Sequence, residues 1–132
     1  MIIAELGSVH DGSFGNALKL IDLASQCKAD YAKFQMHIAD EETLKNAPSP
    51  HYFKDETRYK YFKRLEFTDE QWRKIIKHCK KRKILFMSSI FSIASLKKLI
   101  SFGVKNIKIP SGEVSNIYLL KELNKYPNLK IF

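Results

Sequence analysis

Hydrophobic and polar positions along this chain fall into short apolar runs separated by longer stretches of helical periodicity. The short runs occupy residues 2–6, 31–35, 84–88, 107–109 and 129–132. Runs of this length that contain Ile, Phe or Tyr are typical of buried strands. The pattern therefore predicts four strands and the beginning of a fifth at 129–132.

Between these runs, apolar residues recur every three or four positions, which is the spacing of an amphipathic helix. The stripes cover residues 14–24, 72–79, 93–100 and 117–123. Gly103 lies where a C-cap glycine would end the third helix. We therefore predict four helices that alternate with the strands.

The start of the second helix carries an unusually complete local signal. Thr68 can cap the helix, and Gln71 stands three residues later, as a capping box requires. Phe67 precedes the cap and can pack on Trp72 as a hydrophobic staple. We expect the helix to begin directly after Thr68.

Residues 36–66 interrupt this alternation. They are polar and aromatic, they include Pro48 and Pro50, and they are long for a connector in a compact domain. We interpret the segment as a functional or mobile loop. His37 and His51, which flank or occupy it, are expected to be solvated.

Alternating strands and helices predict an α/β fold with parallel strands and right-handed crossovers. An open doubly wound sheet would often carry a glycine-rich turn after its first strand, but Gly7, Gly12 and Gly15 are too widely spaced for one. Polar groups instead follow every strand, which favours a (β/α)8 TIM barrel. Because a barrel needs about 250 residues, we interpret residues 1–132 as an amino-terminal half of the catalytic barrel.

Composition and charge limit the classes of partner that the chain could bind, but they do not identify a function. The chain has 132 residues, 45% of them hydrophobic, and a formal net charge of +9. Positive charge attracts nucleic acid, acidic membranes and phosphorylated anions. However, the lysines lie largely in the helical stretches 58–83 and 95–98, where solvated basic faces are common. Without a recognition-helix motif or an aromatic stacking sheet, nucleic-acid binding ranks last.

Two further features bear on location and on cysteine chemistry. The amino terminus lacks the basic region and apolar run of a secretory signal, and no segment reaches membrane-spanning length, so a cytoplasmic location without membrane association is expected. Cys27 and Cys79 are 52 positions apart and show no zinc-like spacing. We interpret both as small core hydrophobes.

The clearest candidate chemistry lies at the end of the fourth strand. Lys108 is followed by Ser111, Gly112 and Glu113, so a cation, a hydroxyl, a flexible backbone and a carboxylate come together. This combination suits a small anionic substrate and acid–base chemistry. Other strand ends carry similar side chains, namely Glu5, Lys33, Gln35, Ser88 and Ser89.

Five motifs together carry a family resemblance. They are IAELG at 3–7, HDG at 10–12, AKFQ at 32–35, FMSSIF at 86–91 and IKIPSGE at 107–113. In order and spacing they resemble the sialic acid synthase (N-acetylneuraminate synthase) family. The resemblance implies a condensation of phosphoenolpyruvate with N-acetylmannosamine or a related amino sugar, which gives a nine-carbon 2-keto acid and releases phosphate.

The resemblance also implies roles for individual residues. Glu113 and Glu5 would be the catalytic carboxylates, with Glu113 near the sugar or the attacking water and Glu5 orienting the substrate. The implied substrate-binding residues are Lys33, Gln35, Ser89, Phe91, Lys108, Ser111 and His10. Lys33 and Lys108 would supply positive charge to phosphoenolpyruvate, and Ser89 and Ser111 would donate hydroxyls.

Structural alternatives remain open for several of these positions. Glu5 could pair with one of the lysines in a buried ion pair, and Gln35 could be a satisfied polar group at the top of the barrel. Phe91 could be core packing. His10 and Asp11 are placed at the rim of the site, where a loop histidine is often solvated.

The resemblance further implies a divalent metal, Mn or Mg, held by histidines from later strands, and a carboxyl-terminal antifreeze-like domain in a homodimer. Neither the metal ligands, nor that domain, nor the carboxyl-terminal half-barrel is expected within these residues. We expect the isolated chain to be inactive. The alternative is a non-catalytic or split-enzyme half that only binds the phosphoenolpyruvate anion or pairs with a separately encoded remainder.

Overall fold

The strands form one parallel sheet. A computed structural model describes residues 1–49, 51 and 56–132. Within these residues the sheet has five strands in the order β1-β2-β3-β4-β5, and every neighbouring pair is parallel. The strands are β1 (Ile3–Gly7), β2 (Tyr31–Met36), β3 (Leu85–Ile90), β4 (Asn106–Lys108) and β5 (Lys130–Ile131).

The strand order decides between the two architectures that the sequence allows. A doubly wound sheet reverses its order at a switch point, where its ligand binds. Here each new strand is added beside the previous one with no reversal, as in a (β/α)8 barrel. The predicted α/β barrel fold is therefore confirmed for the part of the barrel that this chain forms.

Helices connect the strands, and the four predicted ones are confirmed. They are α1 (Phe14–Gln26), α4 (Asp69–Lys81), α5 (Ile93–Ser101) and α6 (Ile117–Leu123). Two shorter helices, α2 (Ala39–Glu42) and α3 (Arg58–Leu65), and a 3-10 turn, Ser111–Glu113, complete the described elements. None of the helices among the described residues is both long and apolar enough to cross a membrane.

Helix α4 begins as the local sequence signal predicts. The Thr68 hydroxyl accepts a hydrogen bond from the Gln71 backbone at 3.2 Å, and the Gln71 side chain accepts one from the Thr68 backbone at 2.9 Å. The rings of Phe67 and Trp72 pack edge to face with their centroids 5.3 Å apart. The capping box and the staple are thus both confirmed. Gly103 follows α5 with φ +78°, as a C-cap glycine does.

The interpretation of residues 36–66 as one loop is wrong, because the segment contains α2 and α3. Helix α3 is capped by Thr57, whose hydroxyl accepts a hydrogen bond from the Lys60 backbone at 3.3 Å. Its sequence, RYKYFKRL, places aromatic residues between cations and leaves no aliphatic stripe. Apolar periodicity therefore gives little signal for this helix in the sequence, and its start is marked by the capping residue Thr57 instead. Pro50 lies outside the described residues.

The expectation for the cysteines is half right. Cys79 is 1% exposed in the core, and burial raises the pKa of its thiol to about 12. Cys27 is exposed, which corrects its assignment to the core. Cys27 is the C-cap of α1, beyond the last buried residue of that helix, Ala24.

The hydrophobic core lies between one face of the sheet and the helices. Alternate strand residues point to opposite faces, and one set, Ala32, Phe34, Met36, Ile90 and Ile107, is fully buried under the helices. Phe34 contacts Trp72 of α4, for example, with ring centroids 6.1 Å apart. The other set faces away from the helices. We call this second side of the sheet the open face.

Candidate functional site

Three of the predicted site residues lie in one row across the open face. Gln35 of β2 is the register partner of Ser89 of β3, and Ser89 is the register partner of Lys108 of β4. Neighbouring strands are about 4.8 Å apart, so an amide, a hydroxyl and an ammonium group project from adjacent positions. We call Gln35, Ser89 and Lys108 the upper row.

A second row lies two residues closer to the amino ends of the strands. Glu5 of β1 is the register partner of Lys33 of β2, and Lys33 is the register partner of Met87 of β3. Because the side-chain period of a strand is two residues, Glu5 and Lys33 point to the same face as the upper row. We call Glu5 and Lys33 the lower row. Two ammonium groups, a carboxylate, an amide and a hydroxyl thus share the open face.

Glu5 and Lys33 form an ion pair. The Lys33 side chain is only 12% exposed, whereas that of Glu5 is 55% exposed. A buried ammonium group needs a counter-charge, and Glu5 provides it. The ion pair that was the alternative for Glu5 is therefore observed, but only its lysine is buried. An ammonium group has three donors, so Lys33 can hold Glu5 and a substrate oxygen together.

The amide of Gln35 is also held in place. Its Oε1 accepts a hydrogen bond from the Ser8 hydroxyl at 3.0 Å. A β-carbon added at Gly7 would lie 3.3 Å from the Glu5 carboxylate and 3.7 Å from Gln35 Oε1. Gly7 has φ +46° and lies at an irregularity of the β1–β2 register. The glycine thus leaves room between two site side chains at the end of β1.

Ser89 and Lys108 complete the upper row. Ser89 is 1% exposed, and its backbone carbonyl accepts a hydrogen bond from the Ser88 hydroxyl at 3.0 Å. The Lys108 ammonium group donates to the backbone carbonyl of Ile109. That contact bends the lysine back over the end of β4.

The turn after β4 carries the remaining carboxylate. Glu113 ends the 3-10 turn, and its backbone N–H donates to the Pro110 carbonyl at 2.9 Å. Its Oε2 accepts a hydrogen bond from Asn116 Nδ2 at 2.7 Å. Ser111 begins the same turn and is exposed. Ser111 and Glu113 therefore belong to the loop directly beyond the upper row.

His10 does not lie where the sequence analysis expects it. The residue is 1% exposed, and its ring packs 4.6 Å from Phe67 and 6.1 Å from Phe34, which faces the helices. Burial lowers the pKa of the imidazole to about 4, so the ring is neutral, and its Nδ1 accepts a hydrogen bond from the Gly12 backbone at 3.1 Å. The rim position is corrected to a core position. Asp11 is exposed and forms an ion pair with Arg64.

Phe91 lies in an aromatic stack. Its ring is 4.3 Å from that of His37, whose other neighbour is Phe62 of α3 at 4.4 Å. Phe91 thus packs on His37 beside α3, and its role toward substrate stays a prediction. His37 is 6% exposed, so its expected solvation is wrong, and its Nδ1 lies 2.7 Å from Glu42 Oε1. No spacing rule pointed to this pair, because it depends on α2 turning back toward β2.

The resemblance implies a divalent metal, which would need several ligand side chains close together. Across residues 1–49, 51 and 56–132, no three His, Cys, Asp or Glu side chains converge as metal ligands would. His37 is paired with Glu42, and His78 with Asp22 at 2.5 Å. The described residues therefore do not fit a metal centre.

The family model and the relatives that match this chain all point to one family of synthases. The NeuB family model matches residues 20–131. N,N'-diacetyllegionaminic acid synthase of Campylobacter jejuni is 36% identical over 130 residues, which are 95% of this chain and 39% of the relative. The enzyme of the same name from Legionella pneumophila is 37% identical over 125 residues, 91% of this chain and 35% of the relative.

A solved structure supports the same assignment. The N-acetylneuraminic acid synthetase of Leptospira borgpetersenii, crystallised in complex with citrate, superposes with a TM-score of 0.79 and 28% identity. The superposition covers 98% of this chain and 42% of that chain. The chain thus spans about two fifths of the length of the proteins it matches. The sialic acid synthase resemblance is confirmed, and the chain belongs to the NeuB family.

Proposed function

We propose that this chain contributes the phosphoenolpyruvate-binding side of a sialic acid synthase-type condensation. In this reaction phosphoenolpyruvate and an N-acetylated amino sugar give a nine-carbon 2-keto sugar acid and phosphate. The observation that carries the proposal is the upper row, in which Gln35, Ser89 and Lys108 are register partners on three adjacent strands.

Charge is the first argument for an anionic substrate. Phosphoenolpyruvate brings a phosphate and a carboxylate, which bind best to cations and hydrogen-bond donors. Lys33 and Lys108 supply two ammonium groups on the open face, and of these two the ion pairs among the described residues neutralise only Lys33, through Glu5. The Ser89 hydroxyl lies between the two lysine-bearing strands. A dianion placed here would gain charge-assisted contacts from both lysines.

The condensation reaction gives each of these side chains a role. The enol carbon of phosphoenolpyruvate forms a carbon–carbon bond with the sugar aldehyde carbon, whose oxygen takes up a proton. Water adds to the cationic carbon that develops and loses a proton, which leaves a hydroxyl group there. The bond between that carbon and the phosphate oxygen then breaks, and the hydroxyl proton passes to the released phosphate as the ketone forms. Glu113 would serve as the acid–base group. Glu5 would orient the substrate, and Gln35 would align it.

The amino sugar belongs to the class that the relatives' names suggest. N-acetylmannosamine is the simplest member, its 6-phosphate is a second, and the diacetylated bacterial sugars that lead to legionaminic acid are a third. Ser111 would add a hydroxyl from the turn beyond β4. We further propose a homodimer in the cytoplasm and a divalent metal, Mn or Mg, whose ligands lie outside the described residues.

Calorimetry tests the anion site directly. Phosphoenolpyruvate is titrated at low salt into the 132-residue chain and into a Lys33→Met, Lys108→Met variant, in which the apolar stems of the lysines are retained. The matched control is Lys74→Met, Lys97→Met, which removes the same charge from side chains that are 59% and 61% exposed. Circular dichroism checks that all three proteins fold.

The expected result is binding by the wild type and by the control, and at least about tenfold weaker binding by the site variant, since each charge-assisted bond is worth about 1.5–3 kcal/mol. Equal weakening in both variants would mean a general charge effect and would contradict the site. Binding without condensation would favour the alternative in which this chain only binds the anion. A folded wild type that binds no phosphoenolpyruvate would refute the proposal for this chain.

A further inference from the structure

Asn116 uses both ends of its side-chain amide. Its Oδ1 accepts a hydrogen bond from the Leu119 backbone at 3.1 Å, which caps the start of α6. Its Nδ2 donates to Glu113 Oε2 at 2.7 Å. One planar group therefore joins the beginning of a helix to the carboxylate assigned to acid–base chemistry.

The backbone of the turn is fixed at the same positions. The Glu113 N–H donates to the Pro110 carbonyl at 2.9 Å, and the Asn116 N–H donates to the Glu113 carbonyl at 3.0 Å. The main chain of Glu113 is thus held from both sides. Without the Nδ2 contact, however, the three rotatable bonds of its side chain would remain free to sample several rotamers.

Helix capping alone does not require an asparagine here. Asp, Ser and Asn cap helices about equally well, because each offers an acceptor oxygen to the second or third backbone N–H. Of the three, only asparagine has a donor nitrogen that is separate from its capping oxygen. A carboxylate in its place would keep the cap and lose the charge-assisted bond to Glu113, whereas the single oxygen of a serine would have to make both contacts.

We propose that Asn116 is a positioning residue for Glu113. The hydrogen bond from its Nδ2 to Oε2 holds the carboxylate in one rotamer, which leaves Oε1 for the substrate or the attacking water. The part of this inference that concerns substrate rests on the proposed function. The hydrogen bond itself can be tested without substrate.

The first test is a pH titration of the folded 132-residue chain followed by NMR. The Asn116 side-chain amide signals are expected to shift with the same midpoint as the Glu113 carboxyl carbon, because protonation weakens the bond between them. In Glu113→Gln, which keeps an acceptor oxygen, this shift of the Asn116 amide is expected to disappear. An Asn116 amide that stays constant while Glu113 titrates would overturn the inference.

The second test uses variants that separate capping from positioning. Asn116→Ser keeps a capping oxygen, so its thermal midpoint should stay within about 3 °C of the wild type. Asn116→Asp also keeps the cap but places a second carboxylate beside that of Glu113, so it should be less stable than Asn116→Ser at neutral pH.

The third measurement connects the bond to substrate. Calorimetry of N-acetylmannosamine in the presence of phosphoenolpyruvate should show about tenfold weaker binding for Asn116→Ser than for the wild type. Unchanged sugar binding by this variant would overturn the positioning role. If the wild type bound neither ligand, the proposed function would fail while the NMR titration would still decide the bond between Asn116 and Glu113.

Discussion

Glu5 and Lys33 are register partners on neighbouring parallel strands, and their side chains form an ion pair in which the cation is far more buried than the carboxylate. The pair therefore presents its acidic partner to solvent and its basic partner to the sheet. An incoming anion would approach a lysine that already has a counter-charge. Glu5 can thus set how strongly Lys33 attracts phosphate.

Replacement of Glu5 by Gln should destabilise the chain by about 1 kcal/mol, a modest value because solvent screens the exposed carboxylate. Lys33 would lose its counter-charge, so phosphoenolpyruvate should raise the thermal midpoint of Glu5→Gln more than that of the wild type. Urea unfolding and thermal melts with and without the ligand measure both effects. The double variant Glu5→Gln, Lys33→Met serves as the control and should lose the ligand response. An identical response in Glu5→Gln and wild type would contradict this role of Glu5.

Much of the fold follows from local sequence signals. Thr68, Gln71 and Phe67 predict the start of α4 because all three contacts form within five residues of each other. Helix α3 could not be predicted from periodicity, since its rings and cations have no aliphatic stripe. The strand order also needed the structure, because a pattern of strands and helices does not distinguish sequential from reversed order.

His10 makes the stability of the chain depend on pH. The pKa of its buried imidazole is lowered from 6.5 to about 4. The unfolded chain therefore binds more protons between these values, and stability should fall as the pH decreases from about 6.5 to about 4, by about 3 kcal/mol in total. His10→Asn keeps an acceptor for the Gly12 backbone. Urea unfolding of both proteins across this window should give a difference that shrinks toward low pH, whereas a constant difference would contradict the assignment.

The site was predictable where it depends on strand alternation. Lys33 and Gln35 are two residues apart on β2, so the sequence places them on the same face. His10 and His37 were not predictable, because their burial is set by distant residues. Phe67 covers His10 from a position 57 residues later, and Phe62 covers His37 from α3. Tertiary contacts of that kind leave no periodic signal.

Gly12 lies in the turn between β1 and α1, where the backbone approaches α3 so closely that a glycine is required. It has φ +76°, and an added β-carbon would lie 2.3 Å from the Arg64 carbonyl oxygen. Gly12→Ala should therefore cost about 2–4 kcal/mol from strain and displaced backbone. Gly15→Ala is the matched control, because that position lies in α1 with only the Ser13 hydroxyl nearby, at 3.9 Å. It should stabilise the chain by about 0.5–1 kcal/mol. Equal effects in urea unfolding would contradict the close approach at Gly12.

The pair formed by His37 and Glu42 should anchor the segment that carries α2. Both side chains are largely buried, with 4% and 6% of their surface exposed, and Nδ1 lies 2.7 Å from Oε1. His37→Phe keeps the stack on Phe62 and Phe91 but leaves the Glu42 carboxylate without this partner, which should cost about 3 kcal/mol.

The double variant His37→Phe, Glu42→Leu removes the buried carboxylate as well and should recover at least half of that loss, because replacing both partners by apolar groups can be nearly neutral. Urea unfolding of the wild type, both single variants and the double variant gives the coupling energy. If the anchor is real, limited proteolysis should cut residues 36–66 faster in His37→Phe than in the double variant. Additive losses with equal cleavage rates would mean that the two side chains stabilise the segment independently, and that the stack alone holds α2 near β2.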